Sequence, residues 1–333
     1  MTIKKRRLRI RRTVMLRASF VLIALVGVGA ALVALSHTDE DPLTLLLDRW
    51  PVVMAAGLLY AAGMGVYAVS WAALFEQEDN RPLIALGFLI SQPVKYLPGG
   101  VAQPIGQIAL TAQAAASSRR AVVSFPVHVL INVIAALTLA TPLLFVADTA
   151  DWAGWLVILV PLIWVALDRR WMAGLLSFLS RALRVFKIGD ELPQQRRINL
   201  GFALALAAHG TLFTSFGVLT AGTVPGWSVM TLSVAFAIAW LIGYVAIPAP
   251  AGLGAWEAVL AVLLSGAVTT FDVVKISAVH RIMTLIVELV LLSAALLVMR
   301  MFFNTGVQAA SGTQNSADNE EDALGGTDVD ARS

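Results

Sequence analysis

The sequence predicts an all-α polytopic membrane protein with about six spanning helices plus two re-entrant helical hairpins, arranged as a pseudo-inverted repeat. Three observations carry this. Of 333 residues, 58% are hydrophobic and only 14% are charged, whereas a soluble domain is about 25% charged. Apolar runs long enough to cross a bilayer recur along the chain. Two further runs are interrupted in the middle, at Pro98-Gly99-Gly100 and at Pro248-Ala-Pro-Ala-Gly-Leu-Gly254.

Composition also excludes several chemistries. There is no cysteine, so thiol catalysis, thiolate zinc sites and cysteine-held clusters are out. His37, His128, His209 and His280 lie far apart, so no sequence-local metal site is expected, and no cofactor. The net charge of +3 does not point to nucleic acid. Its basic surplus is concentrated in Lys4, Lys5, Arg6, Arg7, Arg9, Arg11 and Arg12, directly before an apolar run, which is a topology signal.

Residues 1–17 form a basic cytoplasmic N-terminus, and the membrane domain covers 18–303. Its first span, Ala18 to Leu35, reads as an uncleaved signal anchor. An acidic loop with Asp39, Glu40, Asp41 and Asp48 follows, then a span from about Trp50 to Phe75. Leu83 to Ala116 is two short apolar stretches around Pro98-Gly99-Gly100, with Arg81, Arg119 and Arg120 at the two ends. That pattern predicts a hairpin entering and leaving on the cytoplasmic side. Further spans are expected at Ala121–Val146 and Trp152–Leu167. Between 171 and 197, aromatic and aliphatic residues alternate with Arg181, Arg184, Lys187, Arg196 and Arg197, as in a helix lying on the cytoplasmic surface. A span at Ile198–Thr220 precedes the second broken segment, Val229 to about Val268, whose flanking loops are external. The last span is Ile276–Arg300. Residues 304–333 are polar and acidic and read as a disordered cytoplasmic tail.

Charge sets the orientation. Of 24 basic residues, Lys95 and Arg281 fall within the membrane and Arg49 and Lys275 outside. The remaining 20 are cytoplasmic, which places both termini inside the cell membrane.

Paired Pro/Gly breaks in two halves point to a transporter site near the midplane. The polar residues near them carry the chemistry. Lys95 lies just before the first break, and Gln103, Gln107 and Thr111 recur every four residues beyond it. Glu257 follows the second break. Arg281, Thr284 and Glu288 share one face of the last span, and Ser124, His128 and Asn132 form a shorter stripe. A charge at the bilayer centre costs at least about 2.5 to 3.5 kcal/mol, so such residues face a partner or a cavity. Lys95–Glu257 and Arg281–Glu288 are the structural pairings this allows. Anion capture is the functional one: Lys95, Arg281 and the backbone of Gly99, Gly100, Gly252 and Gly254 would hold a lipid phosphate. Tyr96, Gln103, Gln107, Glu257, Glu288, His128 and Asn132 would line the cavity or balance charge.

Lys95-Tyr-Leu-Pro-Gly-Gly-Val-Ala-Gln-Pro-Ile-Gly106, Gly243-Tyr-Val-Ala-Ile-Pro-Ala-Pro-Ala-Gly-Leu-Gly-Ala-Trp-Glu-Ala258 and His280-Arg281-Ile-Met-Thr-Leu resemble the motifs of the lysylphosphatidylglycerol synthase transmembrane-region family, the flippase-type domain of bacterial phospholipid aminoacylating enzymes and their stand-alone relatives. The resemblance spans about residues 18 to 303. It implies lipid handling, with Lys95, Tyr96, Pro98, Gly99, Gly100, Gln103, Pro250, Gly252, Gly254, Glu257 and Arg281 at motif positions. Where the second signature commonly has Arg before its Glu, this chain has Trp256, which alters the charge balance of the site. No soluble aminoacyl-transfer domain follows, so aminoacylation is not expected.

The expected function is therefore translocation of an anionic phospholipid or polyprenyl-phosphate-linked lipid in envelope biosynthesis. The protein would act as a transporter, its enzymatic activity left open, with membrane lipid as substrate and an envelope enzyme such as a glycosyltransferase as candidate partner. Two alternatives stand beside it. A membrane-embedded glycosyltransferase would use Asp39, Glu40 and Asp41. A non-catalytic scaffold for envelope-lipid enzymes would use the 171–197 segment and the tail.

Overall fold

A computed structural model describes residues 48–76, 80–96, 102–115, 117–141, 168–183, 192–245 and 254–325. For Leu175, Leu176, 179–183, Val245 and 302–325 the description covers the backbone alone. The expected first span with its basic N-terminus, the Asp39–Asp41 loop, the span at 152–167 and the centres of both breaks (Pro98, Gly99, Gly100, Pro250 and Gly252) lie outside these residues.

The described chain is helical, with no strand. In order, the elements are α1 (Trp50–Ala73), α2 (Arg81–Ser91), a 3-10 turn (Gln92–Tyr96), α3 (Ala102–Ala114), α4 (Ser118–Ala140), α5 (Arg169–Leu183), α6 (Gln195–Thr220), α7 (Val229–Val245), α8 (Ala255–Leu263) and α9 (Thr270–Gly325). Four of these helices are long and apolar enough to cross a membrane: α1, α4, α6 and Thr270–Met301 of α9.

Local sequence explains the helix ends. Pro51 opens α1, where its missing N–H costs nothing. The Ser117 hydroxyl accepts the Arg120 N–H at 3.2 Å and caps α4. Pro104 is tolerated because it falls in the first turn of α3. Gly254 stands before α8 at φ +81°, a left-handed conformation open to glycine at no steric cost.

Between spans in lipid, close packing and interhelical hydrogen bonds drive association, because lipid tails are as apolar as the side chains. The α1–α6 pair shows this. Gly63 brings the helices so close that a Cβ there would meet Leu212 Cγ at 2.8 Å. Ser70 Oγ donates to the Gly201 carbonyl at 2.8 Å, and Ser215 Oγ to that of Ala56 at 2.7 Å. Contacts that rise along α1 as they fall along α6 make the pair antiparallel. The opposite face of α1 leaves Trp50, Met54, Leu58 and Val69 exposed, as a lipid-facing surface would.

Both broken segments fold back on themselves. In the first, Gly87 of α2 lies against Leu110 of α3, and Gln103 Nε2 donates to Gln92 Oε1 at 3.2 Å. The two arms therefore run antiparallel. In the second, α8 packs on α7 through Trp256, whose Cβ would lie 3.1 Å from a Cβ at Gly243. Each hairpin also contacts α9. Two aromatic cores result, one around Trp71, Phe75, Phe88 and Ile131, the other around Phe213, Phe216, Phe236 and Trp256.

Helix α5 buries Met172 while leaving Trp171 and Phe178 exposed, an amphipathic arrangement as its sequence suggests. Helix α9 continues to Gly325, past the boundary at 304 that composition suggests. Residues 304–325 contain no proline, so nothing in them removes a backbone donor; their glycines cost about 1 kcal/mol each relative to alanine but do not terminate a helix.

A stability prediction follows from the α6–α7 contact. A Cβ at Gly217 would sit 2.4 Å from the Val229 carbonyl oxygen, while one at Gly210 meets nothing within 4 Å. Gly217→Ala is expected to lose about 1–3 kcal/mol through overpacking. Gly210→Ala should be neutral or slightly stabilising. Thermal unfolding of both variants in the same detergent measures the difference.

Candidate functional site: two ion pairs on one helix

Helix α9 presents Arg281, Thr284 and Glu288 along one face, and each charged residue reaches a different hairpin. Glu288 Oε1 forms an ion pair with Lys95, from the 3-10 turn that leads into the first break. Arg281 gives both Nε (2.7 Å) and Nη2 (2.5 Å) to Glu257 Oε1, in the first turn of the helix that follows the second break. Both pairings are the reverse of the sequence expectation. Arg281 and Glu288 are seven residues apart on one helix, about 10.5 Å along its axis. Neither can reach the other, so each takes the opposite charge carried by an adjacent hairpin.

The supporting contacts differ at the two ends. Glu288 is sealed: its side chain has no exposure, it accepts the Tyr60 hydroxyl at 2.5 Å, and its Oε2 lacks a partner among the described residues. Lys95 is one-quarter exposed and lies 5.3 Å from the Tyr96 ring centre. Thr284 Oγ1 donates to the Arg281 carbonyl at 3.1 Å. At the other end, Arg281 and Glu257 keep 17% and 18% exposure. The Arg281 guanidinium sits 4.7 Å from the Trp256 ring centre, a cation–π contact. Glu257 Oε2 accepts the Gly254 N–H at 2.9 Å. Gly254 was expected to offer that N–H to a phosphate, but here it holds the carboxylate. Trp256 therefore supplies a face for the cation.

The remaining expected residues fall elsewhere. Gln103 bonds to Gln92. Gln107 is buried with Nε2 unpartnered, and Thr111 accepts the Trp71 indole N–H at 3.0 Å. His128 and Asn132 do not join the ion pairs. They bond to each other at 3.3 Å in a separate cluster, with Tyr67, Trp71 and Phe88 around the His128 ring. Gly99, Gly100 and Gly252 lie outside the described residues.

Sequence reasoning missed Tyr60 and His280. Tyr60 finds Glu288 across 228 positions, and nothing in the apolar run of α1 marks it as the partner of a carboxylate. His280 packs among Phe216, Phe236 and Trp256, and neither ring nitrogen has a partner among the described residues. Its only sequence cue is its place beside Arg281. Among the described residues no cluster of His and acidic side chains could hold a metal ion.

No protein-family model matches the chain, and comparison with curated proteins likewise finds no match. Among the described residues, fold and site define a class: an all-helical protein with four helices long and apolar enough to cross a membrane, one of which is tied by oppositely directed ion pairs to the helical segments beside the two Pro/Gly runs.

Proposed function

We propose that the protein is a flippase-type lipid translocase of the cell membrane, moving an anionic phospholipid or a polyprenyl-phosphate-linked lipid between leaflets. The observation that carries this reading is the pair of cation–carboxylate bridges beside the two breaks. Each cation is neutralised by a carboxylate on another element, and a phosphate would take that carboxylate's place. The carboxylate released at Arg281 keeps the Gly254 N–H and partial exposure, whereas Glu288, being sealed, would take up a proton. Arg281 is the better receptor. Its Nε and Nη2 already point together at one oxygen, a geometry that suits phosphate, and the site is partly open. Lys95 would receive the phosphate as a point charge when it leaves Glu288. The backbone of Gly99, Gly100 and Gly252 would complete the phosphate contacts, and the resemblance to the flippase-type family adds to the case. The protein is read as a carrier with no reaction of its own.

In this reading the first hairpin is re-entrant from the cytoplasm and the second from outside, with both termini inside. The cysteine-free chain makes this directly testable. Single cysteines at Asn80 and Ser118 should both be labelled only from the cytoplasmic side, and one at Pro225 only from outside. Asn80 and Ser118 on opposite sides would make α2–α3 a spanning unit and end the re-entrant reading. The function itself is tested in vesicles containing the purified chain and a fluorescent phosphatidylglycerol. Accelerated movement of that lipid over the phosphatidylcholine analogue is expected; equal rates for both would remove the anion site from the account.

A further inference from the structure

Away from the ion pairs, His128 of α4 and His209 of α6 are both buried against the same ring, Tyr67 of α1. His128 stacks on it at 5.3 Å and His209 meets it edge-on at 5.1 Å. Their hydrogen bonds set their tautomers. His209 Nδ1 lies 2.8 Å from the Ala205 carbonyl; a carbonyl only accepts, so Nδ1 carries the hydrogen and Nε2 is a bare lone pair. His128 Nδ1 lies 3.3 Å from the Asn132 amide nitrogen; that group only donates, so the His128 hydrogen is on Nε2. Neither Nε2 has a partner among the described residues. His209 Nε2 is thus an empty acceptor inside the protein.

We propose that His209 Nε2 is a proton-binding site, caged by Tyr67, Phe213 and Trp240 and coupled to movement of α7; the coupling to transport rests on the lipid-translocase reading. The cage rings lie 5.1, 5.4 and 4.9 Å from the imidazole. Such spacing leaves room for a proton and not for a lipid headgroup. The ring planes stand at 69°, 63° and 73° to the imidazole, so the cage excludes water and a proton settles on Nε2 only when the cage opens. The ionisable groups facing the pair are Tyr67 from α1 and Tyr244 from α7, together with each histidine facing the other. Trp240 stacks on Tyr244 at 4.7 Å. Tyr244 is 38% exposed. One wall of the cage therefore belongs to the helix that leads into the second break. When that helix shifts, water reaches His209; when it returns, the proton is enclosed.

The test uses the full chain with 15N-labelled histidine in phosphatidylglycerol–phosphatidylcholine nanodiscs, titrated from about pH 8 to about pH 4, around the ordinary histidine value of about 6.5. One imidazole is expected to pass from the neutral Nδ1–H tautomer to imidazolium, and His209→Gln identifies it by removing that signal. Trp240→Leu, which keeps the imidazole and opens its surroundings to water, should strengthen proton binding about tenfold, because desolvation opposes the imidazolium. In vesicles, movement of fluorescent phosphatidylglycerol should vary with pH in the native chain and lose that dependence in His209→Gln, with its rate at the alkaline end retained. The proposal is overturned if His209 stays neutral throughout, or if the pH dependence survives in His209→Gln. If no lipid moves at any pH, the translocase reading falls, and the histidine titration alone decides the proton site.

Discussion

Arg281→Ala is expected to reduce transport of an anionic lipid about 100-fold or more while the protein still inserts and folds, since losing a buried hydrogen-bonded charge costs about 2–5 kcal/mol of binding. Folding survives because Glu257 is not left wholly unpaired: its other oxygen still accepts the Gly254 N–H, and the pair retains 17% and 18% exposure. Arg281→Lys should also fail substantially, because an ammonium cannot reproduce the Nε/Nη2 fork. The exchanged double variant, Arg281→Glu with Glu257→Arg, separates the two roles. If the pair only ties α9 to α8, reversing it restores function. If Arg281 receives phosphate, the exchanged pair stays inactive while stability recovers, because the guanidinium has moved off the shared face of α9. Vesicle transport and thermal unfolding of the four proteins distinguish these outcomes, and full activity of Arg281→Ala would remove the site.

The second large effect is an asymmetry at the other pair. Lys95→Ala should destabilise the protein by about 3–5 kcal/mol, because it leaves a buried carboxylate without its counter-charge. Glu288 has no exposed side-chain surface, and Tyr60 would be its remaining donor. Glu288→Gln should cost much less. The ammonium it frees is one-quarter exposed and lies on a long flexible stem that can turn to water, while the amide still accepts from Tyr60. The Lys95→Met, Glu288→Gln double variant, with neither charge, should recover most of the stability lost in Lys95→Ala. Denaturation in one fixed detergent or lipid mixture ranks the three. Equal losses for the single variants would mean that Glu288 is not sealed.

These pairs show where sequence reasoning stops. That Lys95, Glu257, Arg281 and Glu288 need partners was legible, because each is a charge inside an apolar run. Which partner each takes was not. The sequence reading joined Lys95 to Glu257 and Arg281 to Glu288, whereas the structure joins Lys95 to Glu288 and Arg281 to Glu257. Helix period gave the common face of Arg281, Thr284 and Glu288, but it says nothing about which hairpin comes to each end of that face. The stripe of His128 and Asn132 was legible for the same reason. Its assignment to the charged cavity was not, because α1 and α6 place Tyr67 and His209 around it.

By itself the sequence determined the all-helical class, both ends of α1 to within two residues and the C-terminal end of α6, whereas α4 starts three residues earlier and ends six residues sooner than its apolar run suggests. What it determined follows from local physics: a backbone in lipid must satisfy its own hydrogen bonds, and proline and glycine decide where it does not. Only the tertiary structure decided the rest. It set the antiparallel approach of α1 and α6 through Gly63, the exchange of ion-pair partners, the hydroxyl of Tyr60 on Glu288, and the aromatic cage around His209. The physical reason is range. Helix formation is settled within four residues, but a buried charge or ring nitrogen is satisfied by whichever element packs beside it, however distant in the chain.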